Sequence, residues 1–244
     1  MMDDKIKKFA SMIDESKNAV ALTGAGISTA SGIPDFRSNS GLYSVNADYE
    51  TMLSIGYFNQ NPDEFYRFFK SNMIFEGARP NFAHEYLAQL ENECLKAVIT
   101  QNIDRLHTAA GSKNVIEVHG NLFEYTCTRC FHKTDVHDIM SQDGTPTCPK
   151  CGGVYRPDIV FYGEQLNEQN ITRSINYVEQ CDLLLVIGTS LVVYPVAGFV
   201  RYIRPDAKLV IINRDKTAFD SYADLVINDD IVSVFESVSK LRKG

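Results

Sequence analysis

Four of the six cysteines in this 244-residue sequence are spaced as metal ligands. Cys127 and Cys130 form one Cys-x-x-Cys pair, Cys148 and Cys151 form a second, and 17 residues separate the pairs. This spacing is typical of a zinc ribbon, in which four thiolates complete a tetrahedron and leave no position for a catalytic water. Disulfide or redox pairing is the competing interpretation, which the expected reducing compartment and the matched pairs disfavour. We therefore predict one structural zinc ion.

Residues 23–37, with the sequence TGAGISTASGIPDFR, have the composition of a loop that binds phosphate. Gly24 and Gly26 could adopt positive φ and let backbone N–H groups approach an anion. Ser28 and Thr29 could cap a helix whose N-terminus faces the pyrophosphate. Thr29 stands where the dinucleotide fingerprint has its third glycine, so an ordinary strand-to-helix turn remains an alternative. The segment nonetheless predicts a bound nucleotide.

Polar side chains follow two apolar runs, at the points where strands would end. Gln101, Asn102 and Asp104 come after one run, and His119 comes after the next. Open parallel sheets bind their ligands at this carboxyl edge, where a histidine of near-neutral pKa could act as a general base. Capping of the following helix by Asn102 and Asp104, and simple packing of His119, remain alternatives.

Two later apolar runs end in polar residues in the same way. Gly188, Thr189 and Ser190 follow one run, and Asn213 follows the other. The carboxamide of Asn213 could bond ribose hydroxyls, a role that an acidic residue usually has in dinucleotide sites. These positions extend the predicted nucleotide site along the same edge.

Composition limits the class of protein. The sequence is 44% hydrophobic, carries a formal net charge of −7, and begins with MMDDK, which lacks the apolar core of a signal peptide. No stretch approaches about 18 uninterrupted apolar residues, so we expect neither export nor membrane spanning, and we expect a cytoplasmic location. The acidic balance argues against direct nucleic-acid binding through phosphate contacts.

Short β-branched runs alternate with amphipathic stretches, a pattern typical of a parallel sheet covered by helices. The predicted strands are 19–22, 97–100, 115–118, 158–161, 183–187 and 209–212. The predicted helices are 5–16, 82–92, 104–110, 167–180, 195–203 and 231–242, with another that begins at Asn61-Pro62. The predicted fold class is therefore α/β, with a Rossmann-like doubly wound parallel sheet.

Taken together, the motifs resemble those of the sirtuins, the NAD-dependent protein-lysine deacylases, over essentially the whole chain. They occur in the family's order: GAGIS at 24–28, GIPDFR at 32–37, TQNID at 100–104, His119-Gly120, the four cysteines, FYGE at 161–164 and GTSL at 188–191. The chain is most similar to single-domain bacterial and archaeal members. The resemblance implies a Rossmann-like domain (residues 1–37, 78–122 and 158–244), a helical insertion (38–77) and a zinc-ribbon module (123–157), with the active site between them.

By this resemblance, NAD is a consumed substrate, and acetylated-lysine proteins or peptides are the partners. The acyl-lysine oxygen would attack the ribose carbon that carries nicotinamide and form an alkylimidate as nicotinamide leaves. His119 would then act as general base on the ribose hydroxyls, and Asn102 would position the ribose or the attacking water. The products would be free lysine, O-acetyl-ADP-ribose and nicotinamide, which is also expected to inhibit.

The resemblance assigns the NAD contacts one position at a time. Asp104 and the backbone of Ile103 would bind the nicotinamide carboxamide, and Phe36 would shield the reactive ribose from water. The other cofactor-binding positions match the family's NAD motifs: Gly24, Ala25, Gly26, Thr29, Ile33, Asp35, Arg37, Gln101, Asn102, Gly188, Thr189, Ser190, Asn213 and Ile231.

The substrate peptide would lie extended in the cleft and be recognised mainly through its backbone. The implied contacts are Val160, Phe161, Gly163 and Val193. Val160 and Phe161 would line a tunnel for the acyl-lysine stem, and plain sheet core is the alternative for both. Family members that prefer acidic acyl groups carry Tyr-x-x-Arg, whereas here Asn46 stands three residues after Tyr43. We therefore expect an uncharged acyl group such as acetyl.

Two other functions would use the same motifs. A mono-ADP-ribosyltransferase would pass ADP-ribose to a protein acceptor from the same pocket, and its products would distinguish it. A non-catalytic NAD or ADP-ribose sensor would need no general base, so His119 counts against that alternative.

Overall fold

The computed structural model describes residues 2–35, 49–75 and 77–243. The first part of the chain contains helix α1 (Met2–Glu15), strand β1 (Ala19–Thr23), a 3₁₀-helix (Ala25–Ser31), and helices α2 (Tyr49–Met52), α3 (Ile55–Gln60), α4 (Pro62–Asn72) and α5 (Phe82–Leu90). The middle contains β2 (Leu95–Thr100), α6 (Leu106–Ala109), β3 (Val115–Glu117), β4 (Gly120–Cys127), β5 (Lys133–Asp135), α7 (Val136–Met140) and β6 (Tyr155–Ile159). The last part contains α8 (Glu168–Gln180), β7 (Leu183–Ile187), a 3₁₀-helix (Val196–Tyr202), β8 (Lys208–Ile212), a 3₁₀-helix (Asp220–Tyr222), β9 (Leu225–Ile227) and α9 (Ile231–Lys243).

Within the described residues, six parallel strands form the main sheet, in the order β3-β2-β1-β7-β8-β9. Every residue of β1 and β7 is buried, because helices cover both faces. Successive side chains of a strand point to opposite faces. Accordingly, Leu183 and Leu185 pack with α1, α5 and α9, whereas Leu184 and Val186 pack with α8 and the 3₁₀-helix at Val196–Tyr202. The predicted doubly wound α/β sheet is confirmed.

The order in which the chain adds strands reverses between β1 and β7, which are neighbours in the sheet but far apart in sequence. In such a sheet the chain leaves the two neighbouring strands toward opposite sides, and a crevice opens beyond their carboxyl ends. The residues that follow β1, β2, β7 and β8 therefore meet at one edge. This edge is where the sequence predicts the nucleotide.

Helix α4 illustrates how local sequence sets the elements. It begins at Pro62, carries Asp63 and Glu64 in its first turn, and buries Phe65 and Phe69 on one face. Proline and acidic residues favour a helix N-terminus, since the fixed φ suits the first turn and carboxylates interact with the positive end of the dipole. The helix that the sequence predicts to begin at Asn61-Pro62 is confirmed.

A second, antiparallel sheet has the order β5-β4-β6. The strand predicted at 158–161 was expected among the parallel strands, but the structure corrects this: β6 ends at Ile159 and pairs antiparallel with β4. The predicted helix at 195–203 is a 3₁₀-helix, and β4, β5 and β9 have no counterpart among the predicted strands. The predicted module boundaries at 122/123 and 157/158 fall inside strands β4 and β6. The division of the chain into modules stays a prediction.

An aromatic cluster joins the antiparallel sheet to helices α3 and α4. Phe58 stacks on Phe161 with ring centroids 5.4 Å apart, and Phe65 meets Phe161 edge-on at the same separation. Leu122, Tyr125 and other buried residues of β4 pack into the same cluster. The cluster fixes one wall of the cleft described next. Among the described residues, no helix has the length and apolar character needed to cross a membrane.

Candidate active site

A cleft of about 1640 Å³ lies at the carboxyl edge of the parallel sheet. It exceeds the roughly 300–1,000 Å³ typical of sites for one small molecule, and therefore has room for a dinucleotide beside another ligand. Every predicted catalytic, NAD-binding or peptide-binding residue that the structure describes lines it: Gly24, Ala25, Gly26, Thr29, Ile33, Asp35, Gln101, Asn102, Ile103, Asp104, His119, Val160, Phe161, Gly163, Gly188, Thr189, Ser190, Val193, Asn213 and Ile231. Phe36, Arg37 and the segment 43–46 lie outside the described residues.

The glycine loop after β1 packs against the backbone that follows β7. The N–H of Gly24 donates to the carbonyl of Ile187 at 3.0 Å, and the N–H of Gly26 donates to the carbonyl of Gly188 at 2.8 Å. A Cβ on Gly26 would lie 2.8 Å from the Cα of Gly188. The expected positive φ at Gly24 and Gly26 is wrong, since Gly24 has a φ of −133° and Gly26 is not among the residues with positive φ, whereas Gly188, which packs against them, has a φ of 63°. Gly24 and Gly26 are needed because the loop packs closely against Gly188 and Thr189. Their N–H groups already donate to protein carbonyls.

Ser28 was expected to cap a helix, but it lies within the 3₁₀-helix that begins at Ala25. Its Oγ donates to Asp104 Oδ2 at 2.6 Å and accepts from Asn102 Nδ2 at 3.0 Å. Thr29 likewise lies inside this helix, where its hydroxyl donates to the carbonyl of Gly26. Ser28 thus joins the glycine loop to the segment after β2, a role that sequence spacing did not indicate.

Asp104 faces the cleft and caps the next helix at the same time. Its Oδ1 accepts from the N–H of Leu106 at 2.9 Å, as the capping alternative expected, whereas Asn102 bonds to Ser28. Burial raises the pKa of the Asp104 carboxyl, and the hydrogen bonds from Ser28 and Leu106 oppose that rise. Hydrogen bonds to both of its oxygens therefore fix the orientation of the Asp104 carboxyl group.

His119 lies between β3 and β4 with a defined tautomer. Its Nδ1 is 2.9 Å from the carbonyl oxygen of Gln101, which can only accept, so Nδ1 carries the proton in the neutral ring and Nε2 has the lone pair. Burial lowers the pKa of His119, and the bond to Gln101 opposes this shift. Gly120 follows with a φ of 75°, and a Cβ there would lie 2.0 Å from the carbonyl oxygen of Asp158. Only glycine therefore lets β4 pair with β6 immediately after the histidine.

The far end of the cleft contains the residues that follow β7 and β8. Gln101 Nε2 donates to Thr189 Oγ1 at 3.0 Å, and Asn213 Nδ2 donates to the carbonyl of Asp215 at 2.8 Å. The backbone carbonyl of Asn213 accepts from Asn228 Nδ2 at 3.0 Å, so the groups that Asn213 can offer a ligand are its side-chain oxygen Oδ1 and the second proton on Nδ2. Sequence reasoning missed several charged residues that line this end: Arg214, Asp215, Asp229 and Asp230. Arg214 and Asp215 closely follow the predicted strand at 209–212, and this is the signal that could have indicated them, whereas Asp229 and Asp230 follow β9, whose three residues give no such signal.

Two buried histidines lie behind the glycine loop. The rings of His84 and His107 are 4.8 Å apart, and His107 Nε2 lies 2.9 Å from Thr23 Oγ1. Burial lowers the pKa of His84 to about 4 and holds the pKa of His107 well below its usual value. Both rings are therefore neutral at pH 7. Sequence analysis singled out neither residue.

The four cysteines of the antiparallel sheet and its loops come together. Their sulfur atoms all lie within 4.8 Å of one another, with Cys127 and Cys151 3.5 Å apart and Cys130 and Cys148 3.6 Å apart. A tetrahedron with Zn–S bonds of ~2.3 Å has edges of ~3.8 Å, so the cluster fits one zinc ion. The N–H groups of Arg129 and Gly153 each donate to a cysteine sulfur at 3.4 Å. The four free thiols, with no disulfide among them, confirm the predicted metal-binding site.

Comparison with known proteins agrees with the geometry. The description "Sir2 family" belongs to the family model that matches residues 24–195. The NAD-dependent protein deacetylase of Clostridium acetobutylicum is 45% identical over 241 residues, covering 96% of this chain and 98% of that protein. The NAD-dependent protein deacetylase of Thermotoga maritima is 46% identical over 234 residues, covering 93% and 94%.

Two solved structures show the same similarity across the whole chain. A complex of Sir2 with a p53 peptide and NAD+ has a TM-score of 0.87, 45% identity, and coverage of 97% of this chain and 98% of that chain. A histidine-to-alanine Sir2 variant with deacetylated p53 peptide and 3′-O-acetyl ADP ribose has a TM-score of 0.90 with the same identity and coverage. From its fold, its four-cysteine cluster and these matches, we conclude that the chain belongs to the Sir2 family.

Proposed function

We propose that this chain is an NAD-dependent protein-lysine deacetylase, which transfers the acetyl group of acetyl-lysine to ADP-ribose and releases nicotinamide. The observation that carries the proposal is the tautomer of His119 in the cleft. With Nδ1 bonded to the carbonyl of Gln101, the neutral ring offers Nε2 as a base. A binding module has no need of such a group, whereas transfer of the acetyl group onto a ribose hydroxyl does.

In this proposal, His119 takes a proton from a ribose hydroxyl at its Nε2. The Gln101 carbonyl then supports the resulting imidazolium, because it still accepts from Nδ1. Since burial lowers the pKa of His119, the ring is neutral and active at neutral pH. The rate of deacetylation should be flat above about pH 6.5 and fall at lower pH, as the ring becomes protonated and loses its basic nitrogen.

Asp104 and Ile103 are the residues that we assign to the nicotinamide carboxamide. The carbonyl of Ile103 already accepts from the N–H of Leu122 at 3.0 Å, so we assign the Ile103 N–H to the carboxamide oxygen. Ser28 and Leu106 hold the Asp104 carboxylate in place for the carboxamide nitrogen. NAD is a substrate in this reaction, and these residues would release nicotinamide after the glycosidic bond breaks.

The remaining contacts follow the family's motifs, position by position. We assign Thr29 and Arg37 to the phosphates, Gln101 and Asn102 to the ribose next to nicotinamide, and Phe36 to the exclusion of water. The adenosine half would contact Thr189, Ser190, Asn213 and Ile231. The peptide would bind Val160, Phe161, Gly163 and Val193, with Asn46 in place of the arginine that an acidic acyl group needs. We also infer a cytoplasmic location, because four free thiols require a reducing compartment to hold zinc.

One experiment tests both the reaction and the acyl preference. The purified protein is incubated with NAD and with acetyl-, propionyl-, succinyl- or myristoyl-lysine peptides, and all products are quantified by mass spectrometry. The proposal predicts O-acetyl-ADP-ribose in amounts equal to the deacetylated peptide, with little turnover of succinyl-lysine. Addition of ADP-ribose to a protein acceptor without loss of acetyl would instead identify a transferase. Tight NAD binding without any product would identify a sensor.

A further inference from the structure

The segment that carries the proposed acyl-lysine contacts, residues 159–164, continues beyond the end of strand β6. One ion pair joins Glu164, at the far end of this segment, to Arg156 in β6. Glu164 Oε1 accepts from Arg156 Nη1 at 2.8 Å, and Oε2 accepts from Arg156 Nη2 at 2.9 Å. Glu164 Oε2 also accepts from the N–H of Phe161 at 3.0 Å, while Arg156 Nη2 donates to the carbonyl of Ile159 at 3.0 Å. The pair therefore determines the path of the backbone between β6 and Glu164.

The same arginine contacts the aromatic ring that forms the wall of the cleft. The Arg156 guanidinium lies over the ring of Phe161, 4.9 Å from its centroid. Phe161 is only 2% exposed and stacks on Phe58 from the aromatic cluster. Because the guanidinium is planar, it can bond the carboxylate along its edge and stack on the ring with its face. A lysine could not do both.

Backbone hydrogen bonds attach the segment to its other neighbours. The N–H of Tyr162 donates to the carbonyl of Leu53 at 3.0 Å, and the N–H of Ile55 donates to the carbonyl of Tyr162 at 3.1 Å. At the start of the segment, the N–H of Val160 donates to the carbonyl of His119 at 2.9 Å. The segment thus lies between the junction of helices α2 and α3, the antiparallel sheet and the proposed base, His119.

Glu164 lines the cleft, but both of its oxygens are occupied by donors from the protein. The side chains of Arg156 and Glu164 are 26% and 24% exposed. Burial opposes ionisation of Glu164, but the hydrogen bonds from Arg156 and the Phe161 N–H outweigh it and lower the pKa of this carboxyl. The pair is therefore ionised at neutral pH and is directed at the protein's own backbone.

We propose that Arg156 and Glu164 are positioning residues that fix Val160 and Phe161, and thereby set the affinity for acyl-lysine and the preference for a small acyl group. This inference rests on the proposed function. Without the pair, the segment keeps its backbone bonds to His119, Leu53 and Ile55 and the packing of Phe161 on Phe58, but no side chain joins Glu164 to β6, and the tunnel wall can move. The expected result is a loss of peptide affinity and a looser selection by acyl size, with little change at the nucleotide end.

The test compares Glu164→Gln, Glu164→Ala and Arg156→Lys with the wild type in three measurements. These are the affinity for an acetyl-lysine peptide without NAD, the affinity for ADP-ribose, and the ratio of kcat/KM for acetyl- over butyryl-lysine peptides. We expect Glu164→Ala and Arg156→Lys to weaken peptide binding about tenfold or more, the scale of a lost charge-assisted hydrogen bond, and to lower the ratio. Glu164→Gln keeps an acceptor for the Phe161 N–H and should have an intermediate effect.

ADP-ribose affinity should stay within about twofold in all three variants, because its contacts lie elsewhere in the cleft. The matched control is Lys208→Ala. It removes an ion pair in which Lys208 Nζ lies 3.0 Å from Asp224 Oδ1, at the amino end of the parallel strands and away from the cleft. This variant should change none of the three quantities.

If Arg156→Lys and Glu164→Ala keep the peptide affinity and acyl selectivity of the wild type, the inference is overturned, while the proposed function stands. Equal losses of peptide and ADP-ribose binding in all variants, including the isosteric Glu164→Gln, would also overturn it, since the pair would then support the fold in general. If the wild type itself converts no acyl-lysine peptide, the proposed function fails instead.

Discussion

The two sides of the cleft are constructed by different physical means. The nucleotide side comprises the residues that follow β1, β2, β7 and β8. Its loops are joined by backbone hydrogen bonds and close backbone packing, as between Gly26 and Gly188. The peptide side comprises residues 159–164 with the antiparallel sheet and helices α3 and α4. It is held by an aromatic cluster, the Arg156–Glu164 pair and four cysteines. The nucleotide side is therefore built on the backbone of the main sheet, with side-chain bonds such as that between Ser28 and Asp104 added to it, whereas the peptide side needs the aromatic cluster, the ion pair and the cysteine site.

Loss of zinc should separate the two sides most strongly. Structural zinc contributes an apparent ~10–16 kcal/mol to the folding of small metal-binding units. We expect Cys148→Ser to abolish peptide deacetylation while ADP-ribose binding stays within about tenfold of the wild type. Zinc content, deacetylation rate and ADP-ribose affinity are measured on the same preparation. Cys94→Ala, at a buried cysteine outside the cluster, is the control for loss of a thiol. A zinc-free variant that still deacetylates would contradict the comparison.

Gly188→Ala should be the most damaging small change on the nucleotide side. A Cβ at this residue would lie 2.5 Å from the backbone nitrogen of Ile27, and the φ of 63° adds strain. We expect a loss of about 3 kcal/mol in the free energy of unfolding, measured by urea denaturation. Gly144→Ala is the matched control, because Gly144 has a φ of 65° with no atom within 4 Å, and strain alone should cost ~1–2 kcal/mol. Equal losses in the two variants would show that close packing is not the reason for glycine.

Stability should depend on pH through the buried histidines of the nucleotide side. In the unfolded chain His84 binds a proton below about pH 6.5, whereas in the folded protein its pKa is about 4. The unfolded state therefore binds more protons in this window, and stability falls as pH decreases from 6.5 to 4, by about 3 kcal/mol from His84 alone. His107 acts in the same direction. Urea denaturation at several pH values, compared with His84→Gln, measures this slope, and an unchanged slope in the variant would rule out His84 as its cause.

Removal of the Ser28 hydroxyl should have the smallest of these effects. Ser28→Ala leaves Asp104 and Asn102 each without one hydrogen bond. We expect kcat/KM for NAD to fall about tenfold, with the affinity for acetyl-lysine peptide unchanged. Ser31→Ala, in the same 3₁₀-helix, removes a hydroxyl that contacts Asn81 instead and serves as the control. A change in peptide affinity equal to the change for NAD would mean that the two sides are not independent.

Local sequence patterns correctly predicted the features that depend on neighbouring residues alone, namely buried strands and the cysteine pairs of the zinc site. The strands at 183–187 and 209–212 were found because they are apolar on both faces, and the zinc site was found because each cysteine pair lies within one turn. Strand β6 was placed in the wrong sheet, since its pairing with β4 is not encoded in its own residues. The three residues of β9 are too few to form a recognisable run.

Contacts between distant segments account for what sequence reasoning missed in the site. The glycines after β1 were interpreted through their own φ, whereas their need for glycine comes from Gly188, more than 160 residues away. Ser28 and Asp104, which are joined by a hydrogen bond, are 76 residues apart. Spacing along the chain carries no signal for such pairs.

The role of His119 is tested most directly by the His119→Ala variant, assayed for two reactions in the same mixture of NAD and acetyl-lysine peptide. Because His119 acts after nicotinamide leaves, we predict that exchange of labelled nicotinamide into NAD persists. Formation of O-acetyl-ADP-ribose should fall at least about 10²-fold, the scale of general-base catalysis. Unchanged formation of O-acetyl-ADP-ribose, or equal loss of both reactions with ADP-ribose binding intact, would contradict the role of His119.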